Sequence, residues 1–410
     1  MSSSAAAMDV DAGHSGATTS TEASSIAFLD SVTPSLPSEL RPYFPRFKSL
    51  RSKKLWYQLT LSLEELIARP EAQEAKLADK RPLLVALYDE FVAGFAAKLS
   101  PLRWVGIAVN VARQYQDPKE SLAFLESVAS KTDTPDAQDA FVFATMEAAH
   151  FKLVLGDLEG TKAAMDKCSK VLDTFDSVEH AVHAAFYRVS GDYYKAKAEY
   201  ANYYKNSLLF LACVNSETDL AANDRSERAH DLSVSALLGD TIYNFGELLL
   251  HPILESLQST PHAWLSDLLF AFNAGDLGRF ESLIPQVEKH ALLKDNLQFL
   301  RQKICLMALI ESVFRRSTDD RTLSFETIAQ ETRLPVDEVE HLVMKALSLN
   351  LIRGTLDQYA QLARITWVQP RVLDRRQIEA LQERLNQWCE RVQSVAEFVK
   401  GQTPELFVTA

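Results

Sequence analysis

Two histidines and four cysteines are the residues whose types best suit metal binding or redox chemistry. His180 and His183 lie three positions apart in a helical pattern, so they share one helix face and have possible metal-ligand geometry. No third ligand lies nearby in the sequence, and neither an HExxH nor an HxH motif occurs. The cysteines are far apart, in apolar helical patterns and without a CxxC pair, at Cys168, Cys213, Cys305 and Cys389. We therefore predict no metal and no cofactor, and reduced core thiols of an intracellular protein.

Five tyrosines form a second cluster with possible chemistry, because aromatic rings can stack on nucleic-acid bases. They are Tyr193, Tyr194, Tyr200, Tyr203 and Tyr204. The surrounding helical sequence is not strongly basic, which favours packing between helices over base stacking. We predict that these tyrosines are structural.

Local signatures of catalysis and of nucleotide binding are missing from the sequence. It contains no GxSxG elbow, no GxxxxGK[ST] loop and no GxGxxG turn. Paired carboxylates such as Glu64 and Glu65 lie on a helical face that is ordinarily solvated. A triad assembled from distant residues would leave no such signature, but no residue is nominated for one. We predict that the chain is not an enzyme.

Charge and hydropathy narrow the range of partners. The formal net charge is −12, and residues 1–40 contain five acidic residues and no Lys or Arg. An acidic chain without a basic tract is poorly suited to neutralising phosphates, so we predict no nucleic-acid partner and no anionic membrane surface. No apolar run is long enough to cross a bilayer, and the first residues lack the pattern of a signal peptide. These features predict a soluble protein of the cytoplasm, the nucleus or both.

The elements that position these residues are mostly helices, as the scarcity of glycine (13 residues) also indicates. Gly-Asp pairs recur at intervals of roughly one helix pair, which is typical of tetratricopeptide-like repeats. The pairs lie at Gly156-Asp157, Gly191-Asp192, Gly239-Asp240 and Gly275-Asp276. Glycine would end one helix and aspartate would cap the next. For Gly239-Asp240 a position inside a helix is the alternative, so the repeat is degenerate. The predicted domains are a flexible tail (1–40), a helical-repeat array (41–315), a winged helix (316–373), a heptad helix (374–400) and a flexible end (401–410).

The pattern changes near Arg321, where the sequence predicts a short strand, two helices and a hairpin with strands at residues 351–356 and 364–368. This order is typical of a winged helix, a module that first suggests DNA binding. The second helix would read the DNA, but it begins with Asp337, Glu338 and Glu340, which would repel phosphates. We therefore favour protein contact through the exposed edge of the wing. The residues predicted to contact a partner there are Leu351, Ile352, Arg353, Gly354 and Trp367.

The last long segment carries an apolar stripe with alternating spacings of three and four residues, which is the seam of a heptad helix. Charged residues such as Glu383 and Arg391 fill many of the positions between. A single helix cannot bury such a stripe against itself, so it has to pack on other helices, in this chain or in a partner. We predict that it binds a partner through Ile378, Leu381, Leu385, Trp388, Val392, Val395 and Val399.

Several blocks of sequence, together with this order of elements, resemble the PCI-domain family. Those scaffold subunits occur in the proteasome lid, the signalosome and a large translation initiation factor, and the resemblance is closest to proteasome-lid members. The blocks span about residue 50 to the end of the chain. They are Lys53–Trp56, Gln58–Leu61, Asn244–Leu249 with His251-Pro252, Val343–Ser348 and Thr366–Asp374.

The resemblance implies a non-catalytic scaffold of the proteasome lid that supports degradation of ubiquitinated proteins. Such subunits join through their winged helices, and their last helices pack together in a shared bundle. The apolar stripe would be buried in that bundle. The resemblance also implies a hetero-oligomer with other PCI subunits and with metalloprotease-fold subunits, next to a ubiquitin receptor. The alternatives are a scaffold of another PCI complex, namely the signalosome or the initiation factor, and a winged-helix nucleic-acid-binding regulator.

Overall fold

The computed structural model describes residues 26–37, 39–75, 77, 81–175, 179–215, 220–316, 321–370, 372 and 375–402. The chain divides into two compact units, one ending at Asn215 and the other following it. This division falls inside the predicted array of residues 41–315. None of the helices in the described ranges is both long enough and apolar enough to cross a membrane.

The first unit is helical throughout its described residues. Helix α1 covers residues 26–32. The following α-helices are α2 (Tyr43–Ser52), α3 (Trp56–Ile67), α4 (Pro70–Glu74), α5 (Leu83–Leu87), α6 (Pro101–Ala112), α7 (Pro118–Thr132), α8 (Gln138–Val154), α9 (Leu158–Leu172), α10 (His180–Ala196) and α11 (Tyr200–Cys213). Helices α6 to α11 pack as sequential pairs, and α8 also packs on α6 and α10. This arrangement is a stack of helical repeats, as predicted.

The predicted flexible tail is too long at its C-terminal end. Residues 26–32 are helical, and Leu29, Val32, Leu36 and Leu40 are buried in the core of the first unit. These four side chains are spaced three or four residues apart, which is the period of a helix face. The Ser- and Thr-rich composition around them obscured that period. The tail prediction for residues 1–25 lies outside the described residues.

The predicted turn, in which glycine ends one helix and aspartate caps the next, is present at two of the four Gly-Asp pairs. Gly156 and Gly275 adopt the left-handed conformation, with φ of 85° and 65°. The aspartate after each caps the next helix, since Asp157 Oδ1 accepts from the Gly160 N–H at 2.9 Å and Asp276 Oδ1 accepts from the Arg279 N–H at 3.1 Å.

The other two pairs do not form a left-handed turn of this kind. Gly191-Asp192 lies inside α10, whose turn into α11 instead uses Ala198 with φ 57°. Gly239 ends a helix, but in an extended conformation with φ −64°. The dipeptide alone does not distinguish a turn from a helix interior, because helical packing tolerates glycine where neighbours approach closely.

The second unit begins with further helices around a buried aromatic cluster. They are α12 (Ala222–Leu238), α13 (Gly246–Leu250), α14 (Glu255–Gln258), α15 (Trp264–Ala274), α16 (Leu277–Val287), α17 (Ala291–Asp295) and α18 (Leu297–Arg315). Phe272 packs edge-to-face on both Phe245 and Phe280. All three rings are buried, so they anchor the helices of this unit.

Lys303 of α18 is an unusual member of this core because its side chain is only 1% exposed. Its Nζ donates to the carbonyl oxygens of Ala236, Leu237 and Gly239 at 2.8, 3.0 and 2.6 Å. These acceptors lie at the C-terminal end of α12, where helix carbonyls lack partners and a cation is favoured. Lys303 therefore links α18 to the end of α12.

The predicted winged helix is confirmed in its elements. Strand β1 (Thr322–Ser324) leads into α19 (Phe325–Thr332) and α20 (Val336–Ser348). Strands β2 (Ile352–Asp357) and β3 (Leu362–Val368) form the hairpin, and the sheet order is β1-β3-β2. Helix α21 (Arg375–Gln402) follows the sheet.

Candidate functional site

Helix α21 is a 28-residue helix in which every described side chain is exposed. Side-chain amides support it locally, since Gln387 Nε2 donates to Glu383 Oε1 at 3.3 Å and Gln393 Nε2 donates to Glu397 Oε1 at 3.2 Å. These pairs are one helical turn apart on the polar side. Among the described residues, the apolar side of this amphipathic helix is therefore exposed.

The predicted apolar stripe lies along this helix and is solvent-exposed. The exposed fraction of its seven side chains runs from 42% for Val399 to 63% for Trp388. The members are Ile378, Leu381, Leu385, Trp388, Val392, Val395 and Val399. Fully burying a side chain of this size contributes about 1.5–3 kcal/mol. A stripe this long would therefore supply much of the energy of a protein–protein contact.

One member of this surface was missed in the sequence. Phe398 is 67% exposed, the largest value among the described large apolar side chains of α21. It lies three residues after Val395 and next to Val399, so it widens the end of the stripe. A heptad template accepts about one residue per helical turn and passes over such a flanking position, although the spacing from Val395 could have indicated it.

The wing supplies a second surface, the outer edge of β2. Strand β3 lies in the middle of the sheet, and β2 pairs with it along one side only among the described strands. The register shifts between Arg353 and Gly354, which marks a bulge. A Cβ on Gly354 would lie 2.1 Å from the Arg364 carbonyl oxygen, so only glycine fits this crossing. The edge of β2 is free to take a further strand within the described chain.

The side chains predicted for the wing edge divide into two groups. Arg353 is exposed, and its guanidinium lies 4.7 Å from the ring centre of Trp367, a cation–π contact. Leu351 and Ile352 are 2% and 1% exposed, so their side chains belong to the core and are not available to a partner. Strand alternation explains this outcome for Ile352, which faces inward while Arg353 faces outward.

The second helix of the winged module carries acidic residues at its start, as predicted. Asp337 and Glu338 lie in the first turn of α20, where they complement the helix dipole. Glu340 accepts from Gln358 Nε2 at 3.1 Å, and Lys345 Nζ donates to Gln302 Oε1 at 2.9 Å. The basic residue of this helix is thus engaged within the chain, which does not favour groove reading of DNA.

The histidines and cysteines singled out in the sequence do not form a metal site in the described part of the chain. His183 stacks on Tyr187 with ring centres 6.0 Å apart. Across the described ranges, no three His, Cys, Asp or Glu side chains are placed to hold a metal ion. Burial raises the pKa of the Cys168 thiol to about 12 and also raises that of Cys305, which keeps both protonated.

Cys389 contradicts the prediction of core thiols, since it is exposed on α21. The apolar residues near Cys389 are themselves exposed to solvent, so the apolar pattern around this cysteine wrongly indicated a core position. The tyrosine prediction holds for Tyr193, Tyr203 and Tyr204, which are all buried.

Comparison with known proteins agrees with this architecture in both units. The family described as PSD13 N-terminal repeats matches residues 43–269. The PCI domain matches residues 283–367, which include the winged module up to β3. Together the two matches cover most of the chain.

Whole-length relatives carry related names. The chain is 40% identical over 385 residues to a probable 26S proteasome regulatory subunit rpn9 of Schizosaccharomyces pombe, covering 93% of this chain and 97% of that protein. It is 38% identical to 26S proteasome non-ATPase regulatory subunit 13 homolog A of Arabidopsis thaliana, covering 93% and 98%. It is 37% identical to 26S proteasome regulatory subunit RPN9 of Saccharomyces cerevisiae, covering 90% and 95%. The chain therefore belongs to the family of 26S proteasome non-ATPase regulatory subunit 13 and Rpn9, PCI-domain proteins with N-terminal helical repeats.

Proposed function

We propose that this chain is a non-catalytic scaffold subunit of the lid of the 26S proteasome regulatory particle. The exposed apolar stripe of α21 carries the proposal, because a scaffold needs a surface that is completed only by its partners. The names of the relatives supply the identity of the complex. In this role the chain supports ATP-dependent degradation of ubiquitinated proteins by holding other subunits, without performing the chemistry.

The first contact in this proposal is a helical bundle. Helix α21 would pack with the last helices of neighbouring subunits along the stripe from Ile378 to Val399, with Phe398 at its end. Trp388 lies in the middle of the stripe, where an aromatic anchor contributes most to a contact. The charged residues between would remain at the rim, where they exclude wrong partners more than they add affinity.

The second contact is strand pairing at the wing. A partner strand would pair with the backbone of β2 between Ile352 and Asp357, while Arg353 and Trp367 contact it with side chains. Leu351 and Ile352 contribute backbone there, since their side chains are buried. The Arg353/Gly354 bulge would limit pairing to strands that match its register.

The assembly is a hetero-oligomer in this proposal. Its partners are other PCI subunits and metalloprotease-fold subunits of the lid, with a ubiquitin receptor close by, and neither nucleic acid nor membrane takes part. The subunit would reside in both the cytoplasm and the nucleus. The domain limits proposed from the sequence stay as given, except that the folded part begins by residue 26.

The test is affinity purification of tagged full-length chain from its own cells, with mass spectrometry of the proteins recovered. The variant Leu385→Asp with Trp388→Asp places two charges in the centre of the stripe. An uncompensated charge in a buried contact costs several kcal/mol, about the worth of an assembly contact. We expect proteasome lid subunits with the unaltered chain and few or none with the variant.

The matched control is Asn386→Asp with Ser394→Asp. It adds the same charge to the same helix but lies off the stripe, so lid subunits should be recovered normally. Recovery of signalosome or initiation-factor subunits with the unaltered chain would overturn the proteasome assignment. Equal recovery with the stripe variant and the control would overturn the bundling contact.

A further inference from the structure

The turn between α2 and α3 carries charged and apolar side chains that the scaffold contacts described above do not use. Residues 40–63 contain six basic residues and no acidic one, although the whole chain has a net charge of −12. The turn also includes Lys53–Trp56, one of the sequence blocks that carry the resemblance to PCI-domain proteins. Helix α21 and the wing belong to the second unit, so neither gives this block a role.

Four of the six basic side chains are engaged within the chain. They form ion pairs, donate to backbone carbonyls or lie over buried aromatic rings. These four are Arg41, Arg46, Lys48 and Arg51. Lys53 and Lys54 are different, because both are exposed and neither ammonium group has a hydrogen bond or an ion pair with a described residue. The turn therefore presents two lysines whose charges are available to a partner.

Lys54 occupies a backbone position that ordinarily favours glycine, since its φ is 56°. The Lys54 N–H donates to the Arg51 carbonyl at 3.0 Å, and the Leu55 N–H donates to the Leu50 carbonyl at 3.0 Å. These are the two hydrogen bonds of a Schellman motif at the end of α2, whose left-handed residue is usually glycine. The fold alone would therefore favour glycine over lysine at this position.

Apolar side chains and further cations lie next to these lysines. Leu55 is 40% exposed and Tyr57 is 66% exposed. The Nζ of Lys98, which ends a 3-10 helix, lies 4.9 Å from the ring centre of Trp56, and the Arg103 guanidinium lies 5.5 Å from that of Tyr57. The dipole of α2 favours cations at its C-terminal end. It does not account for exposed apolar side chains beside them.

We infer that the turn patch, made of Lys53, Lys54, Leu55, Tyr57 and Lys98, binds an acidic segment of another protein that carries an apolar residue among its carboxylates. The lysines would pair with the carboxylates, and the apolar residue of the segment would contact Leu55 and the Tyr57 ring. The inference goes beyond the scaffold proposal and does not depend on it, because no residue of α21 or of the wing takes part.

Charge complementarity is the argument for this partner. Glu64 and Glu65, the next acidic residues along the chain, already pair with Arg103 and Arg46 at 3.2 and 3.3 Å. A nucleic acid fits less well, because three lysines neutralise few phosphates, and an exposed leucine gains nothing from a phosphate backbone. A peptide with both carboxylates and an apolar side chain uses every member of the turn patch.

The experiment measures binding of fluorescein-labelled probes to the full chain by fluorescence anisotropy. The first probe is a short peptide of Asp and Glu around a central Leu-Phe pair. The second probe replaces its acids with Asn and Gln, the third replaces Leu-Phe with Ala-Ala, and the fourth is a single-stranded oligonucleotide of similar charge. We expect saturable binding of the first, no binding of the second and about fivefold weaker binding of the third, which lacks the aromatic contact.

Variants of exposed residues test the two kinds of contact. Lys53→Gln with Lys54→Gln should weaken binding of the first peptide about tenfold, because two exposed charge pairs are lost. Lys162→Gln with Lys170→Gln removes the same charge from exposed positions of α9 in the same unit, so it is the matched control and should leave the affinity unchanged. Tyr57→Ser should weaken binding about fivefold and remove most of the preference for Leu-Phe over Ala-Ala.

Lys54→Gly separates binding from folding. Glycine relieves the strain at φ 56°, so the midpoint temperature of thermal unfolding should rise, while loss of one charge pair should weaken peptide binding about threefold. Weaker binding by a more stable chain would not be an effect of misfolding. A fall in both the midpoint and the affinity would overturn the assignment of Lys54 to binding.

The acids of residues 1–25 test whether the partner is another protein. Asp9→Asn, Asp11→Asn and Glu22→Gln are made together in the full chain. Unchanged affinity for the first peptide supports a partner in another protein, whereas a large increase would overturn it in favour of the chain's own acids.

The remaining outcomes bear on the chemistry of the partner. Equal binding of the first and third peptides would overturn the apolar contact. Absence of binding of the first peptide, equal binding of the first two peptides, or tighter binding of the oligonucleotide would overturn the acidic segment as partner. Equal affinities for the lysine variant and its α9 control would overturn the turn patch as the site.

Discussion

Helices α18 and α21 are both long and amphipathic, yet the first is mostly buried in the chain and the second is exposed. In α18 most side chains are buried, and even the ammonium of Lys303 is enclosed. In α21 even Trp388 is 63% exposed. The sequences of the two helices differ accordingly, since α18 contains an unbroken apolar run from Ile304 to Ile310, whereas α21 has one apolar stripe between charged residues. The period of such a stripe predicts that it will be covered but not whether the cover belongs to the same chain.

The clearest way to break this comparison is to make the same change in both helices. Leu306→Ala removes a side chain that is 1% exposed in α18 and should lower the free energy of unfolding by about 2–5 kcal/mol. Leu385→Ala removes one that is 53% exposed in α21 and should change it by less than about 0.5 kcal/mol. Chemical denaturation of the isolated chain measures both. Similar losses would mean that α21 is covered within the chain.

A second pair of variants compares turns in the two units. Gly275→Ala should destabilise its unit by about 2–3 kcal/mol, since φ is 65° and the new Cβ would lie 2.7 Å from the Ala308 Cα. Gly156→Ala has a similar φ of 85° but meets nothing within 4 Å, so about 1 kcal/mol is expected. Thermal unfolding of the two variants separates steric contact from backbone strain. Equal losses would show that close approach to α18 has no energetic weight.

The buried ammonium of α18 predicts a dependence of stability on pH. Burial lowers the pKa of Lys303 from 10.5 to about 7, so between these values the folded chain binds fewer protons than the unfolded chain. Stability from this group therefore increases as pH is raised from about 7 towards 10. Lys303→Met should lose that slope, and it should cost about 2 kcal/mol at pH 7 because three helix carbonyls lose their donor.

Urea denaturation at several pH values compares Lys303→Met with the unaltered chain. The difference between the two isolates Lys303 from the tyrosines and cysteines that titrate over the same range. Parallel pH dependences would contradict the assignment of the slope to this side chain.

The smallest expected effect lies at a turn between packed helices. Asp157→Ala removes the side-chain acceptor of the Gly160 N–H and should cost about 1 kcal/mol. Asp157→Asn keeps an acceptor oxygen and should cost less. Thermal unfolding of the two variants measures the difference, and a loss for Asn as large as that for Ala would assign the effect to charge rather than to capping.

Local signals in the sequence predicted the wing closely. Its strands were expected at residues 351–356 and 364–368, and they occur at Ile352–Asp357 and Leu362–Val368. Alternating β-branched and polar residues bounded by turn residues leave few other choices. The heptad helix was predicted equally well, since it begins at Arg375, one residue after the predicted start at residue 374.

Features that depend on tertiary packing were not predicted. Leu29 and Leu36 are buried within a segment whose composition predicted a flexible tail. Gly191 lies inside α10, where an added Cβ would be 3.5 Å from the Ser207 Oγ, although its sequence matches a turn. The π-helical turn Tyr88–Val92 after α5 had no sequence pattern that predicted it.

The exposed stripe of α21 also bears on the supply of subunits. A chain made in excess of its partners would display Trp388 and Phe398 to the chaperones and proteases that recognise apolar surfaces, whereas an incorporated chain would hide them. The amount of free subunit would then follow the amount of its partners. The surface that holds the complex together would in this way also keep its components in proportion.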